Sequence, residues 1–350
     1  MTEVIHPMHT LTLDPPDAEA IAVLLDELAA RHDSVEDRTL QDELTLQSHR
    51  LPLALRRFLT NFRLREPAGA CVVSGYRVDH DRIGATPAHW QHRTGVSPAL
   101  REEILLLLCG ALLGEPVAWA TQQDGYLVHD VLPVKGHENE QIGTGSNQTI
   151  FWHVEDAFHP YRGDYVGLLC LRNPDRVPTT FVGVQDLEIS AEDRRVLAEP
   201  RFYILPDHSH LQVLDAGPGR PLEGGPRLLD AAHERLKRMR DDAAPVPVLF
   251  GSPADPYLCL DPYFMDLGRL DPRAREALQR LSDEIDRRLG GAALAPGEIV
   301  FVDNYRAVHG RSSFAARFDG TDRWLKRVNV ARDLRKSRDA RATAASRVLF

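Results

Sequence analysis

The stretch FWHVEDAFHPYRGDY, from Phe151 to Tyr165, sets His153 and Glu155 two residues apart inside a run of strand-like composition. On a strand, side chains two apart share a face, so an imidazole and a carboxylate would converge on one point. Such a pair supplies two protein ligands for a metal ion. The third is expected in GEIVFVDNYRAVHGRSSF, where a strand over Glu298–Val302 runs through Asp303 and Asn304 into a turn and then His309. Two histidines and one carboxylate leave adjacent positions open on an octahedral metal, which is the arrangement of non-haem Fe(II) oxygenases. The open positions accept a bidentate oxoacid and O2.

Taken singly these residues are common, and a histidine before a glycine is often a turn residue. A further element raises their meaning. TDRWLKRVNVARD puts Arg323 fourteen residues after His309, and on a strand Arg323 and Arg327 share a face with Leu325 and Asn329. Buried guanidiniums are costly unless anions meet them. A dicarboxylate cosubstrate and the carboxylate of an amino acid would supply two such anions, and Arg suits bidentate carboxylate recognition better than Lys. Arginines facing solvent or paired with aspartates would need no ligand.

The elements that must position these groups can be read along the chain. PPDAEAIAVLLDELAARHD, LPLALRRFLTNFRLRE, SPALREEILLLLCGALLG and DPRAREALQRLSDEIDRRLGG carry helical spacing with Pro, Asp or Gly at their ends. GACVVSGY, DYVGLLCLRN, TTFVGVQDL, RFYILP, PVPVLFG, YLCLD, GEIVFVDN and RWLKRVNVAR read as strands. Helices therefore gather at about 15–115 and strands dominate about 116–335, with a polar helical segment at about 208–245 that reads as a lid or a surface excursion. A single domain over 1–350 is expected, a β-sandwich or barrel buttressed by N-terminal helices.

The chain has 350 residues, 43% hydrophobic and 27% charged, an ordinary globular composition. A formal net charge of −9 argues against a nucleic-acid partner and is compatible with a cationic substrate. Cys71, Cys109, Cys170 and Cys259 sit in separate apolar runs without a C-x-x-C, as expected of buried free thiols in a reducing cytoplasm. The first residues show no basic and apolar leader, and ILLLLCGALLG is too short to span a bilayer, so a cytoplasmic protein without a membrane partner is expected.

The order H-x-E, a distant His, then Arg fourteen residues on resembles the Fe(II)/2-oxoglutarate dioxygenases, and more narrowly their clavaminate synthase-like group. WATQQDGYLVHDVLPVKG, WHVEDAFHPYRGDYVGLLCLRNPD, RFYILPDHSHLQ, DNYRAVHGRSSFAARFDGTDRWLKR and ARDLRKSR resemble the arginine, citrulline and enduracididine hydroxylases of peptide antibiotic biosynthesis, over nearly the whole chain. The resemblance implies a mainly β fold with flanking helices, a distorted double-stranded β-helix or jelly roll. It implies that His153, Glu155 and His309 hold Fe(II), and that Arg323 meets the distal carboxylate of 2-oxoglutarate with Thr179 or Thr180 nearby. Arg327 would take the substrate carboxylate, Gln122 and Glu155 its amino-acid head group, and Asp156 would support the loop. The implied reaction hydroxylates C3 or C4 of a free L-amino acid while 2-oxoglutarate becomes succinate and CO2, supplying precursors for non-ribosomal peptide antibiotics.

One departure bears on the substrate. Arginine hydroxylases of this group are expected to grip the guanidinium with D-x-D, whereas this chain has Asp261-Pro262-Tyr263. One carboxylate balances a guanidinium poorly, and Tyr263 offers one hydrogen bond to a neutral ureido group. L-citrulline is therefore expected slightly ahead of L-arginine, with enduracididine third. Two other classes compete. A zinc hydrolase could use His153, Glu155 and His309 but would have no use for Arg323, and a non-catalytic binding protein would usually have lost one of the three ligands.

Overall fold

The computed structural model describes residues 9–93, 95–211 and 220–350. In chain order its elements are β1 (His9–Thr12), α1 (Pro15–Arg31), α2 (Arg38–Ser48), α3 (Leu53–Arg65), β2 (Ala70–Ser74), α4 (His80–Ile83), α5 (Leu100–Leu113), β3 (Glu115–Trp119), β4 (His129–Val131), β5 (Ile150–His153), β6 (Tyr165–Arg172) and β7 (Thr179–Gly183). There follow α6 (Ala191–Leu197), α7 (His208–Leu211), α8 (Gly225–Asp241), β8 (Leu249–Gly251), β9 (Pro256–Leu258), α9 (Pro272–Arg288), β10 (Gly290–Ala292), β11 (Ile299–Asp303), β12 (Ala307–Arg311), β13 (Trp324–Ala331) and β14 (Val348–Leu349).

Local chemistry accounts for the helices. Asp14 caps α1 by accepting from the Asp17 N–H, Pro15 follows it, and Ile21, Leu24, Leu25 and Leu28 form one buried stripe. Asp271 caps α9 in the same way, ahead of a stripe of Ala274, Ala277, Leu278, Leu281 and Ile285. The sequence reading did not foresee α2, because RTLQDELTLQS buries only Leu40, Gln41, Leu44 and Ser48. The Asp37 cap and the packing of that narrow stripe against α5 decide it. α5 is buried on nearly every side, since it lies between the other helices and a sheet.

Two facing sheets form the jelly roll. The larger has the order β1-β2-β11-β6-β13-β3-β14, with β4 also paired to β13, and the smaller has the order β10-β7-β12-β5. Alternation along β13 divides its side chains between two cores. Trp324, Val328 and Val330 join the core beneath the N-terminal helices, while Leu325 joins Leu168, Cys170, Val300, Val302 and Ala307 between the sheets. A third core, with Trp152, Val154, Val182 and Val308, packs the back of the smaller sheet against α6 and α9. The four cysteines are buried and free.

RFYILP does not form the expected strand. It makes isolated bridges, Phe202 to Val246 and Ile204 to Met265. Pro245 and Pro247 flank Val246 and lack the N–H groups that would extend a ladder. Of the segment expected as a lid, 212–219 lie outside the described residues, and the rest includes α7 and α8. Among the described residues no helix is long and apolar enough to cross a membrane.

On the helix-facing side of β13, Lys326 is 3% exposed, and its ammonium lies 2.8 Å from Glu103 of α5 and 2.5 Å from Asp130 of β4. Asp130 also accepts from the Trp324 indole N–H at 2.7 Å. Removing one partner of a buried pair leaves the other charge uncompensated. Lys326→Met is therefore expected to lower unfolding free energy by about 3–5 kcal/mol in urea titration. The double variant K326M/E103Q should recover part of that loss, because Asp130 keeps Arg93 at 3.0 Å.

Candidate active site

β5 and β12 are antiparallel with His153 directly opposite His309. Directly opposed residues share a face, and here the ring centroids are 4.7 Å apart. The register shifts between His309 and Arg311, so that Arg311 pairs with Ile150. At this bulge a Cβ on Gly310 would lie 2.5 Å from the Ile150 carbonyl oxygen, so only glycine allows the strands to approach.

The expectation that one strand carries both His153 and Glu155 needs correction: strand pairing ends at His153. Glu155 is held by a side chain instead. Its N–H donates to Asn304 Oδ1 at 2.8 Å, and Asn304 Nδ2 donates to the carbonyls of Glu155 and Gly163, each at 2.9 Å. The Asn304 amide takes the place of a neighbouring strand, and the Val154 N–H donates to the Leu260 carbonyl at 2.8 Å. Val154 is buried behind the sheet, as alternation requires. Asp156 then turns the chain at φ +52° and is anchored by the Trp119 indole N–H at 2.5 Å and by His210 at 2.9 Å.

Glu155 Oε2 lies 3.5 Å from Nε2 of His153 and 3.5 Å from Nε2 of His309, and donor atoms of the three residues all lie within 4.8 Å of one another. His153 Nδ1 is 2.8 Å from the Phe151 carbonyl. A carbonyl only accepts, so Nδ1 carries a proton, and Nε2 would present its lone pair to a metal once its own proton leaves. Burial disfavours a protonated His153, but Glu155 and Asp261 outweigh it and hold the imidazole at about 9. Burial would likewise raise the Glu155 carboxyl, yet Arg327 and the two imidazoles hold it well below the usual range. Glu155 and Asp261 thus favour positive charge at His153, whereas burial and neighbouring cations disfavour it at His309. This donor set fits Fe(II), and it opens on a cavity of about 490 Å³.

Arg323 and Arg311 line one part of that cavity. Arg323 is 5% exposed, donates to Thr179 Oγ1 at 3.2 Å and leaves its Nε–H buried without an acceptor. Neither arginine has a carboxylate partner among the described residues. Burial lowers Arg323 to about 10 and, with Arg323 beside it, lowers Arg311 to about 9. A carboxylate is the missing neighbour. Thr179 lines the cavity, whereas Thr180 lies on the opposite face of β7 and does not. Arg327 contacts Glu155 Oε1, and it donates to Gln122 Oε1 at 3.0 Å and lies 2.9 Å from His129 Nδ1, its cross-strand partner. Gln122 in turn donates to Ser209 at 2.7 Å.

Asp261 and Tyr263 line the cavity together with Asp207. Asp261 is buried, with its carboxyl raised to about 6 by burial and by the charge of Asp207, against the opposing effect of His153. Neither acid has an Arg or Lys partner among the described residues. Tyr263 is half exposed at the cavity wall. Arg311, His129 and Asp207 were not identified from sequence. Arg311 could have been found in the HGR triplet, while Asp207 lies in PDHSH, outside any periodic element.

Because Asn304 orients Glu155 without touching the donor atoms, Asn304→Ala is expected to weaken Fe(II) binding by about 10- to 100-fold. Anaerobic metal titration checks this, with Asn304→Asp, which keeps the acceptor for the Glu155 N–H, falling between the variant and the parent.

Residues 230–329 match the Taurine catabolism dioxygenase TauD, TfdA family. The chain is 48% identical over 343 residues to the enduracididine beta-hydroxylase of Streptomyces hygroscopicus, covering 98% of this chain and 100% of that one. It is 46% identical over 345 residues to the L-ornithine/L-arginine 3-hydroxylase of Catenulispora acidiphila, covering 98% and 100%. Among solved structures, the non-heme iron oxygenase OrfP in complex with Fe, succinate and (3S)-hydroxy-L-Arg superimposes with a TM-score of 0.90 at 47% identity, over 97% of this chain and 99% of that one. OrfP with Fe and alpha-ketoglutaric acid superimposes with a TM-score of 0.86 at 45% identity, over 98% and 100%. With a donor set that fits iron and buried arginines that lack an anion, the chain belongs to the TauD/TfdA dioxygenases, and within them to the Fe(II)- and 2-oxoglutarate-dependent hydroxylases of arginine-type amino acids.

Proposed function

We propose that this enzyme hydroxylates C3 of a free L-amino acid with a cationic guanidino end, L-arginine or a cyclic guanidine such as enduracididine, as 2-oxoglutarate becomes succinate and CO2. The observation that carries the reading is the distribution of charge in one cavity, where Arg323 and Arg311 have no carboxylate partner and Asp261 and Asp207 no Arg or Lys partner among the described residues. The expectation of L-citrulline rested on Asp261 as a single carboxylate. Asp207 adds a second acid close enough to act on it, which favours a guanidinium over a ureido group. The choice of C3 is supported by relatives described as a beta-hydroxylase and a 3-hydroxylase.

Each residue then has a role. His153, Glu155 and His309 hold iron, which when bound supplies oxygen activation coupled to oxidative decarboxylation of the oxoacid. Arg323, steadied by Thr179, takes the distal carboxylate of 2-oxoglutarate. Arg327 takes the substrate carboxylate, with Gln122 fixing the guanidinium plane. A carrier thioester would leave Arg327 without that carboxylate, so the substrate is free. Glu155 Oε1, turned away from the imidazoles, accepts the substrate ammonium. Asp261 and Asp207 balance the guanidinium, and Tyr263 bounds its end of the cavity. Pinning both ends of the amino acid is what presents one C–H bond to the metal. L-Citrulline is the second reading, because a carboxyl raised to about 6 and the Tyr263 hydroxyl can each hydrogen-bond a neutral ureido oxygen or N–H.

The test is mass spectrometry of arginine, enduracididine, citrulline, ornithine and lysine incubated with Fe(II), ascorbate and 2-oxoglutarate. A gain of one oxygen matched by equimolar succinate is expected first for the guanidino compounds. A clear preference for citrulline at matched concentrations would favour the second reading, and succinate release retained by His153→Ala would refute the iron assignment. Losing a charged hydrogen bond corresponds to about 10- to 100-fold in binding. Arg323→Met is expected to raise KM for 2-oxoglutarate by that factor with little change for the amino acid, and Arg327→Met to do the reverse in steady-state kinetics.

A further inference from the structure

Phe151 and Tyr263 are among the few large apolar side chains left open, 53% and 50% exposed. They come from distant parts of the chain yet lie against each other, with ring centroids 6.4 Å apart and planes 18° from parallel. Phe264 braces Tyr263 edge-on at 4.9 Å. Neither ring belongs to any of the hydrophobic cores, so packing does not account for the pair. Both rings line the active-site cavity. Phe151 lies two residues before His153 on the same strand, and Tyr263 two residues after Asp261 in the short helical turn Pro262–Phe264. The pair therefore borders both the acid and the metal triad.

We propose that Phe151 and Tyr263 form an aromatic lip that takes the planar end group of the substrate against a ring face, and so selects guanidino amino acids over those ending in an ammonium. This rests on the proposed function, in which a cationic end group sits beside Asp261. The two acids recognise charge, which arginine and ornithine share. They do little to separate the two end groups. A guanidinium is flat, delocalised and weakly hydrated, and it stacks on aromatic faces, whereas an ammonium is compact and strongly hydrated. The two rings lie within 18° of parallel, so a planar group laid on one face is nearly parallel to the other ring as well. A cyclic guanidine benefits further, since its end group is already rigid and loses less freedom on stacking.

The experiment compares the wild-type enzyme with Tyr263→Leu and Phe151→Leu, which keep bulk and remove the ring. Steady-state constants are measured for arginine and ornithine, and arginine binding to the anaerobic Fe(II)- and 2-oxoglutarate-loaded protein is measured by calorimetry. The arginine-to-ornithine ratio of kcat/KM is expected to fall by about 2- to 30-fold in each variant, through KM, with a matching loss in arginine affinity. A ratio unchanged from wild type, or a loss confined to kcat, overturns the lip. Failure of the wild-type enzyme to oxidise any guanidino amino acid would instead overturn the proposed function, and that result is read before any variant is made.

Discussion

His153 and His309 can share a metal only because β5 and β12 run antiparallel in a register that sets them directly opposite each other. That register depends on the bulge and on the missing side chain at Gly310. A one-residue slip would turn an imidazole to the other face of the sheet. Glu155 has no such ladder to hold it, and the Asn304 amide bonds both its N–H and its carbonyl. The donor set therefore rests on two kinds of backbone control, one from strand pairing and one from a single buried side chain.

Around this centre the cavity separates charge. Guanidiniums of Arg311 and Arg323 are buried without carboxylates among the described residues, while Asp261, within reach of the charge of Asp207, and Asp207 itself have no Arg or Lys partner there. Both arrangements are unfavourable in the free protein, since burial lowers the arginines and raises Asp261. Each becomes favourable when an ion of the opposite sign enters. Arg327 is the exception, because it already shares Glu155 with the imidazoles and is steadied by Gln122 and His129.

The opposite face of β13 shows how the larger sheet serves the site. Lys326 and Trp324 fix Asp130 of β4, and the neighbouring residue of β4, His129, meets Arg327 across the strand pair. Alternation lets one face of the strand carry an internal ion network toward the helices while Arg327, with Arg323 just before the strand, lines the cavity on the other. Gln122 connects the same arginine to Ser209, and Asp156 connects the metal-ligand segment to His210. The residues just before 212–219 are thus tied to the site at two points.

Four of the longer helices, α1, α3, α5 and α9, and strands such as β2, β6, β11 and β13 could be read from spacing, capping and turn residues, because these are local properties of the chain. The same locality made His153 and Glu155, and Arg323 and Arg327, stand out as pairs, since two-residue alternation sets a shared face wherever the backbone is extended, and spacing to Arg323 singled out His309. What locality could not decide was which contacts between distant segments would form. Glu155 lies beyond its strand and depends on Asn304, 149 residues away in sequence. Thr179 rather than Thr180 meets Arg323 because the pairing of β7 with β12 chooses which face looks inward. Asp207 joins Asp261, and Phe151 joins Tyr263, across separations that no periodicity spans. The sequence by itself determined the reaction class and pointed to the three candidate metal ligands. Only the tertiary structure decided the charge and shape of the substrate pocket, because those depend on which buried groups are left without a partner.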